Sequence, residues 1–463
     1  MGARRMLHSI PLLSSRPVLN FSNAISRSVS AVSRPFSKTS ESSPPRKFPS
    51  TGFELIDPSE KVEEERLPFY KRDEYYPMKI GHVVYGHYQI VAKLGYGATS
   101  TVWLSRDLRN QKYWVLKVHI NSLKYNHELA VYRHLAHHTE DHPGRNHVRE
   151  FHDSFTLKGP NGNHEVFVME PLGMSLRSLQ GIQRDGAFPE QLVIGALAQV
   201  FLALDFLHEA DVIHTGTQRE ASPNRVNHYP VIPPEGAQLI GELLDVHSDN
   251  LLIGIVNKSI FSTVEENEIH KPSPRKVVGD TVTQVSQYML GGKGPLILCD
   301  LGQARIGREH HGNAMPVPYR APEVILNMPW GNSVDAWSAG LLAWDLLRGE
   351  SLFNVYDHES RELNDAHHLA AITALIGPPP PELLQSSEDS RKYWHENGEW
   401  KGPVPLPPKK DFESLISDFI GVDKENFVSF MECFIAWLPN DRLTCLQGHF
   451  HPWLKTEKNP AAT

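Results

Sequence analysis

The sequence predicts an α+β protein of two lobes, a small antiparallel sheet lobe with one main helix followed by a larger helical lobe. Three stretches predict the first part. Tyr88–Leu94, Thr101–Ser105 and Tyr113–His119 are short, rich in β-branched and aromatic residues, and separated by turn-length gaps, so they read as antiparallel strands. Asn126–Leu135 then spaces Leu129, Tyr132 and Leu135 at helical intervals, and Val166–Met169 returns to strand composition. The second part rests on Pro189–Ala210, a long apolar helix opened by a proline that suits a first helical turn. Leu296–Cys299 adds an apolar strand, and Ser333 opens a further apolar helix.

The 463 residues suffice for two domains or one large two-lobed one, and 40% hydrophobic content allows a sizeable core. Val193–Leu207 is the longest apolar run; it contains Gln199 and Asp205 and is shorter than the roughly 20 residues that cross a bilayer. No membrane span is expected. Cys299, Cys433 and Cys445 lack metal-ligand spacing and suggest neither a disulfide framework nor a zinc site, which points to a reducing compartment. Histidine pairs such as His137-His138 and His310-His311 lack the i, i+4 arrangement with a carboxylate that a helical metal site uses.

Charge is unevenly distributed. Residues 1–40 carry Arg4, Arg5, Arg16, Arg27, Arg34 and Lys38 and no acid, while the rest has 40 basic against 54 acidic residues, a net of −14. An acidic body favours basic protein partners and argues against direct binding of nucleic acid. The Ser/Arg-rich, acid-free segment 1–40 has the composition of a mitochondrial transit peptide and equally that of a disordered tail. Residues 41–79 are polar and Pro-bearing, with a charge run from Lys61 to Arg66, and read as a linker. Ordered structure is expected from near Ile80, with the sheet lobe over 80–172, the helical lobe over 173–455 and a tail over 456–463.

Chemistry enters between the first two strands, at Leu94-Gly95-Tyr96-Gly97-Ala98-Thr99-Ser100-Thr101-Val102. Glycines let a backbone turn tightly and approach phosphates, although a hairpin turn alone would also explain them. Position decides between the readings. Lys117 lies twenty residues after Gly97, inside the apolar strand Val115-Leu116-Lys117-Val118. A buried ammonium demands a carboxylate and an anionic ligand, and Glu128 on the following helix is the natural partner. Such a pair behind a Gly-rich hairpin holds nucleotide phosphates in protein kinases. Asp300, at the end of the strand Leu296–Cys299 and just before Leu301-Gly302, is placed to coordinate Mg²⁺. Tyr319-Arg320-Ala321-Pro322-Glu323 follows, so the motifs stand in kinase order.

From Lys79 to about residue 455 the chain resembles the SR-protein kinases, in the fungal branch of that family. The marks are Trp103 after Ser100-Thr101-Val102, His214-Thr215 in place of His-Arg, Asp300-Leu301-Gly302, and Tyr319–Leu326 followed by Pro329-Trp330. The resemblance implies the bilobal eukaryotic protein kinase fold and an ATP- and Mg²⁺-dependent serine/threonine kinase acting on basic Arg/Ser-rich protein substrates. A monomer is expected, cytosolic and nuclear unless residues 1–40 direct it to mitochondria. The nucleotide would lie among Leu94, Gly95, Tyr96, Gly97 and Val102, with Met169 gating the adenine pocket and Glu170 to Leu172 forming the hinge. Lys117 and Glu128 would hold the phosphates, Asn250 and Asp300 the metal, and Asp245 would be the catalytic base. Glu323 would pair with Arg442 to lock the helical lobe. Without the arginine of His-Arg-Asp, no switching by activation-loop phosphorylation is expected.

One departure is large. No aspartate follows His214-Thr215; a 29-residue stretch, Gly216–Leu244, intervenes before Asp245-Val246-His247-Ser248-Asp249-Asn250. Removing the stretch restores a continuous loop with the required Asp-to-Asn spacing. Codon logic favours an unspliced intron, entering at a GT inside the Gly216 codon and leaving at the first base of the Asp245 codon, which rejoins an Asp codon. A genuine inserted loop is the alternative, and with it a pseudokinase scaffold. His247, two residues after Asp245, stands where the family has a basic or amide residue near the γ-phosphate. A second insertion, at about 255–293, contains Lys271-Pro272-Ser273-Pro274-Arg275 and reads as a surface loop.

Overall fold

The structure is a computed structural model that describes residues 43–67, 69–138, 140–183, 186–215, 249–287, 289, 292–353, 355–357 and 363–455. The segments 1–40 and 216–244, Asp245 and His247 lie outside them.

The first lobe is built on one six-stranded antiparallel sheet in the order Val83–Val84, Tyr88–Gly97, Ser100–Asp107, Tyr113–His119, Gly162–Met169, Phe151–Gly159. The three expected strands are present, and the fourth is longer than expected and has a hairpin partner over Phe151–Gly159. Side-chain alternation assigns the two faces. Val102 lies opposite Lys117, and both face the interlobe side with Val115; Thr101, Trp103 and Lys93 face the other way, Lys93 lying opposite Trp103. The helix after the third strand runs His127–His137, and the Asn126 side chain caps it by accepting from the Leu129 N–H at 3.3 Å.

The second lobe is organised around the helix Glu190–Glu209, with Pro189 at its N-cap. This helix is long and apolar enough by length and composition to cross a membrane. Here it is a core element: Leu197, Phe201, Leu204 and Leu207 are fully buried, and Phe201 stacks on Phe434 at 5.1 Å. Helices Ser333–Arg348, Asn364–Ile376 and Gly421–Phe434 complete the same core. At the junction of the lobes, Leu251–Gly254 pairs with both Leu296–Leu298 and Leu172–Ser175.

Two expectations are corrected. Residues 43–79 are not a linker, and order does not begin at Ile80. Leu55–Ile56 pairs in parallel with Arg275–Val278, and Glu63–Arg66 forms a 3-10 turn whose Glu63 and Glu64 are buried. These acids face Lys93, itself 1% exposed, which bonds Glu64 and lies 3.5 Å from Glu63. The charge run that looked like a solvated linker is internal because its partners are buried cations. Nor is the second insertion a loop. Ser259–His270 is a helix whose Phe261 and Val264 pack on Val91, Ala92 and Leu104 of the sheet. Arg275–Val278 and Thr281–Gln284 form a hairpin that Lys276 fastens to Glu65 at 2.7 Å.

Candidate active site

Lys117 and Glu128 are brought together by the strand and the helix that carry them, Nζ to Oε2 at 2.6 Å, with both side chains largely buried. Burial opposes each charge, but the mutual attraction prevails. Glu128 and then Asp300 hold the Lys117 ammonium above its ordinary pKa, and Lys117 holds Glu128 below the usual carboxylate range. A second cation-capable group supports Glu128. His119 places Nε2 3.7 Å from the same oxygen, and its Nδ1, 3.1 Å from the Glu165 carbonyl, donates to it and fixes the ring.

The Gly-rich segment is a tight hairpin, with Gly97 opposite Ser100 and Gly95 opposite Val102. A Cβ on Gly95 would meet nothing within 4 Å, so the glycine is not demanded by packing and leaves open space beside Val102 and Lys117. Leu94 and Gly97 continue this wall, whereas Tyr96, opposite Thr101, turns to the other face, where its ring lies 5.4 Å from the Lys93 ammonium; Met169 is buried opposite Val115, Glu170 is exposed, and Leu172 is half-buried on the strand crossing between lobes. The expected nucleotide-lining residues other than Tyr96 therefore lie along the interlobe side of the sheet or on the connection beneath it.

Asp300 terminates its strand with φ +60, a left-handed conformation uncommon outside glycine. Its carboxylate accepts from the Gly302 N–H at 3.3 Å, while Leu301 is fully buried in the core. Asn250 is tied to this strand through Cys299 N–H to the Asn250 carbonyl at 2.7 Å. Its side chain is buried, and Nδ2 has no partner among the described residues. A buried amide without a partner is costly unless a ligand completes it, and this one stands beside Asp300. Asp245 lies outside the described residues; His214 and Thr215, which open the loop in the resembled family, do not.

Those two reveal an anchor that the sequence reading missed. Asp335, fully buried in Ser333–Arg348, accepts from the His214 N–H at 2.8 Å and the Thr215 N–H at 2.9 Å. Burial pushes its pKa up, but His208, at 2.9 Å, together with His214 and the backbone donors outweighs burial and keeps the carboxyl below its ordinary value. His214 Nε2 also lies 3.1 Å from the Cys299 carbonyl, and the Thr215 hydroxyl donates to Gln303 at 2.8 Å. The start of the catalytic loop is thus fixed to the core helix and to the Asp300 strand. An acid amid the apolar run Val334–Trp337 was the available signal.

A sheet lobe with a buried Lys–Glu pair, joined to a helical lobe that presents an aspartate before a glycine turn, defines a protein kinase. The protein kinase domain family matches residues 287–454. A serine/threonine protein kinase of Aspergillus fumigatus is 36% identical over 420 residues, 89% of this chain and 95% of the relative. The kinase SRPK of Physarum polycephalum is 28% identical over 85% of this chain and 91% of its own length. Protein kinase dsk1 of Schizosaccharomyces pombe is 26% identical over 86% of each. A solved kinase domain superposes with a TM-score of 0.59 at 20% identity, over 83% of this chain and 100% of that one, which shows the fold. The chain belongs to the serine/threonine protein kinases, and it is similar at lower identity to kinases of the SR-protein type.

Proposed function

We propose that this kinase transfers the γ-phosphoryl group of ATP to serine or threonine hydroxyls in basic, Arg/Ser-rich protein segments, using Mg²⁺. The observation that carries the reading is the Lys117–Glu128 pair within electrostatic reach of Asp300, with the Asn250 amide, which has no partner among the described residues, held against the same strand, and open space at Gly95. These groups fit a magnesium nucleotide. Lys117 would hold the phosphates, Asp300 and Asn250 the metal, and bound Mg²⁺ supplies charge neutralisation of the triphosphate. Glu128 keeps Lys117 charged and aimed. The Asp335 anchor holds His214 and Thr215, and so sets where the loop bearing Asp245 begins; Asp245 orients the incoming hydroxyl and takes its proton as the oxygen attacks phosphorus and ADP departs. The Arg/Ser preference draws on relatives named SRPK and SRSF protein kinase 3, and on the net −14 of the chain after residue 40.

The working form lacks Gly216–Leu244. Closing a loop of that length costs about 3 kcal/mol beyond a constant, at the point where His214 and Asp245 must act together. The test is to sequence the transcript across Thr215–Asp245, and to assay both forms with Mg²⁺–ATP on an Arg/Ser-rich peptide and an acidic control. The shortened form should phosphorylate the basic peptide and the full chain should be slow. Equal rates, with transcripts that retain the segment, would make it a tolerated loop; no preference between the peptides would remove the substrate assignment.

We propose that the enzyme acts as a monomer, and that it is mitochondrial if residues 1–40 are a transit peptide and cytoplasmic and nuclear if they are a tail. A fusion of residues 1–45 to a fluorescent reporter should be imported; a diffuse or nuclear signal would assign it instead to the cytoplasm and nucleus.

A further inference from the structure

The segment ahead of the sheet reaches the Gly-rich hairpin through one side chain. Tyr75 is 9% exposed, and its hydroxyl lies 3.0 Å from the Gly97 carbonyl oxygen and 2.9 Å from that of Ala98. These are two of the three carbonyls at the tip of the hairpin, between the paired Gly97 and Ser100; the third, of Thr99, accepts from the Ile120 N–H at 2.9 Å. A phenol has one proton, which the two acceptors share.

Tyr75 is held firmly enough to act as a tether. Its own N–H donates to Arg72 at 3.2 Å, and Asn121 clasps the same turn through its N–H to Glu74 at 3.0 Å and its amide to Asp73 at 2.9 Å. Arg72 in turn donates to the Val278 carbonyl at 3.2 Å and bonds the Thr281 hydroxyl. Both partners belong to the hairpin of the second insertion. A continuous set of contacts therefore runs from the insertion through Arg72 and Tyr75 to the tip of the Gly-rich turn.

Peptide geometry gives this tether a direction. In a planar trans peptide the carbonyl and the following N–H point opposite ways. With the Gly97 and Ala98 carbonyls turned to Tyr75, the N–H groups of Ala98 and Thr99 are turned away from it. Tyr75 lines one cavity with Lys93, Thr101 and Trp103, on the face opposite Val102 and Lys117. The two N–H groups are therefore presented to the Lys117 side, where an anion is to be received.

We propose that Tyr75 is a positioning residue for the nucleotide: its hydroxyl pre-sets the hairpin tip so that the Ala98 and Thr99 N–H groups face the triphosphate of bound ATP. This rests on the kinase reading. Without the tether, the Gly97 and Ala98 peptides lose the contact that sets their orientation, only the Thr99 carbonyl staying held by the Ile120 N–H at 2.9 Å, and the nucleotide must order them, at a cost in affinity.

The experiment compares the form lacking 216–244, the one proposed to work, with its Tyr75→Phe variant, which removes one oxygen and keeps the ring, and with its Tyr70→Phe variant, a neighbouring phenol 5.2 Å away, as control. Hydrogen exchange over residues 95–101 is measured without nucleotide, and the affinity for a fluorescent ADP analogue with Mg²⁺ is measured alongside. Tyr75→Phe should speed exchange at the hairpin tip and weaken the nucleotide about tenfold, as expected for one or two lost hydrogen bonds. The KM for ATP should rise in parallel while kcat and the melting temperature stay near wild type, and Tyr70→Phe should change none of these. Unchanged exchange and affinity in Tyr75→Phe would overturn the proposal and leave the kinase reading standing. So would a loss of affinity accompanied by lower melting and faster exchange across the whole sheet, since that marks a structural role. A wild-type chain with no affinity for the magnesium nucleotide would overturn the kinase reading, and the positioning role with it.

Discussion

Replacing Glu323 by Gln should be among the most destabilising isosteric changes available to this chain. Glu323 lies in the short helix Pro322–Ile325, directly after the Tyr319-Arg320-Ala321 segment, and pairs with Arg442 with both side chains at 0% exposure. All five guanidinium donors are used. Nη1 and Nη2 reach the two Glu323 oxygens at 2.7 Å each, and the remainder reach the carbonyls of Ser333 at 3.2 Å, Trp437 at 3.4 Å and Ala436 at 3.0 Å. The Trp337 ring lies 4.9 Å from the guanidinium carbon. Glu323→Gln keeps the volume but strands a buried cation, and it sets an amide NH₂ against a guanidinium N–H. Breaking one side of a buried pair costs about 3–5 kcal/mol, and roughly 2–4 °C per kcal/mol then lowers the thermal midpoint by roughly 6–20 °C. Arg442→Lys should cost a similar amount, because a single ammonium cannot reproduce the fork. The double variant Glu323→Leu with Arg442→Met removes both charges, so its loss should be smaller than the sum of the single losses. Differential scanning fluorimetry of the four proteins settles the matter: a Glu323→Gln midpoint within about 2 °C of wild type would refute the reasoning.

Two further outcomes test the site and its surroundings. Lys117→Met or Asp300→Asn, made in the form lacking 216–244, should abolish phosphoryl transfer, because each removes a charge from the nucleotide site; turnover near wild type in either would remove the assignment. Asp345 should make stability depend on pH: burial pushes its pKa from 3.8 to about 7, against the opposing Tyr319 hydroxyl and the charge of Arg177. The folded state then keeps a proton between about pH 4 and 7 that the unfolded state has released, so this contribution is full below the unfolded pKa and lost as pH rises through the folded one. Relative to Asp345→Asn, wild type should lose up to about 4 kcal/mol across that window, and parallel urea melts of the two proteins at pH 5 and pH 8 would disprove it.

The residues easiest to read in the sequence were those whose chemistry constrains residue type over short distances. An ammonium in an apolar strand demanded an acid, and Glu128 was eleven residues away, on the next helix. The missed features are those whose partners are distant in sequence. Asp335 reaches back 121 residues to the N–H of His214, and no local pattern joins them. The strand Phe151–Gly159 was within reach, since Phe155 and Leu157 alternate with exposed residues ahead of the Pro160-Asn161-Gly162 turn. The N-terminal segment failed for a different reason. Its acids were judged by composition, and composition treats a run such as Glu63-Glu64-Glu65 as solvated unless something in the core calls for it. Something did. Lys93 lies in the apolar strand Tyr88–Gly97, two residues ahead of Gly95, in the same circumstances that made Lys117 informative. The inference that found Glu128 applies to Lys93 unchanged: a strand lysine buried beside the Gly-rich hairpin required carboxylates of its own. No acid on the neighbouring strands was spare for it, so the charged run ahead of the sheet had to fold back against the lobe.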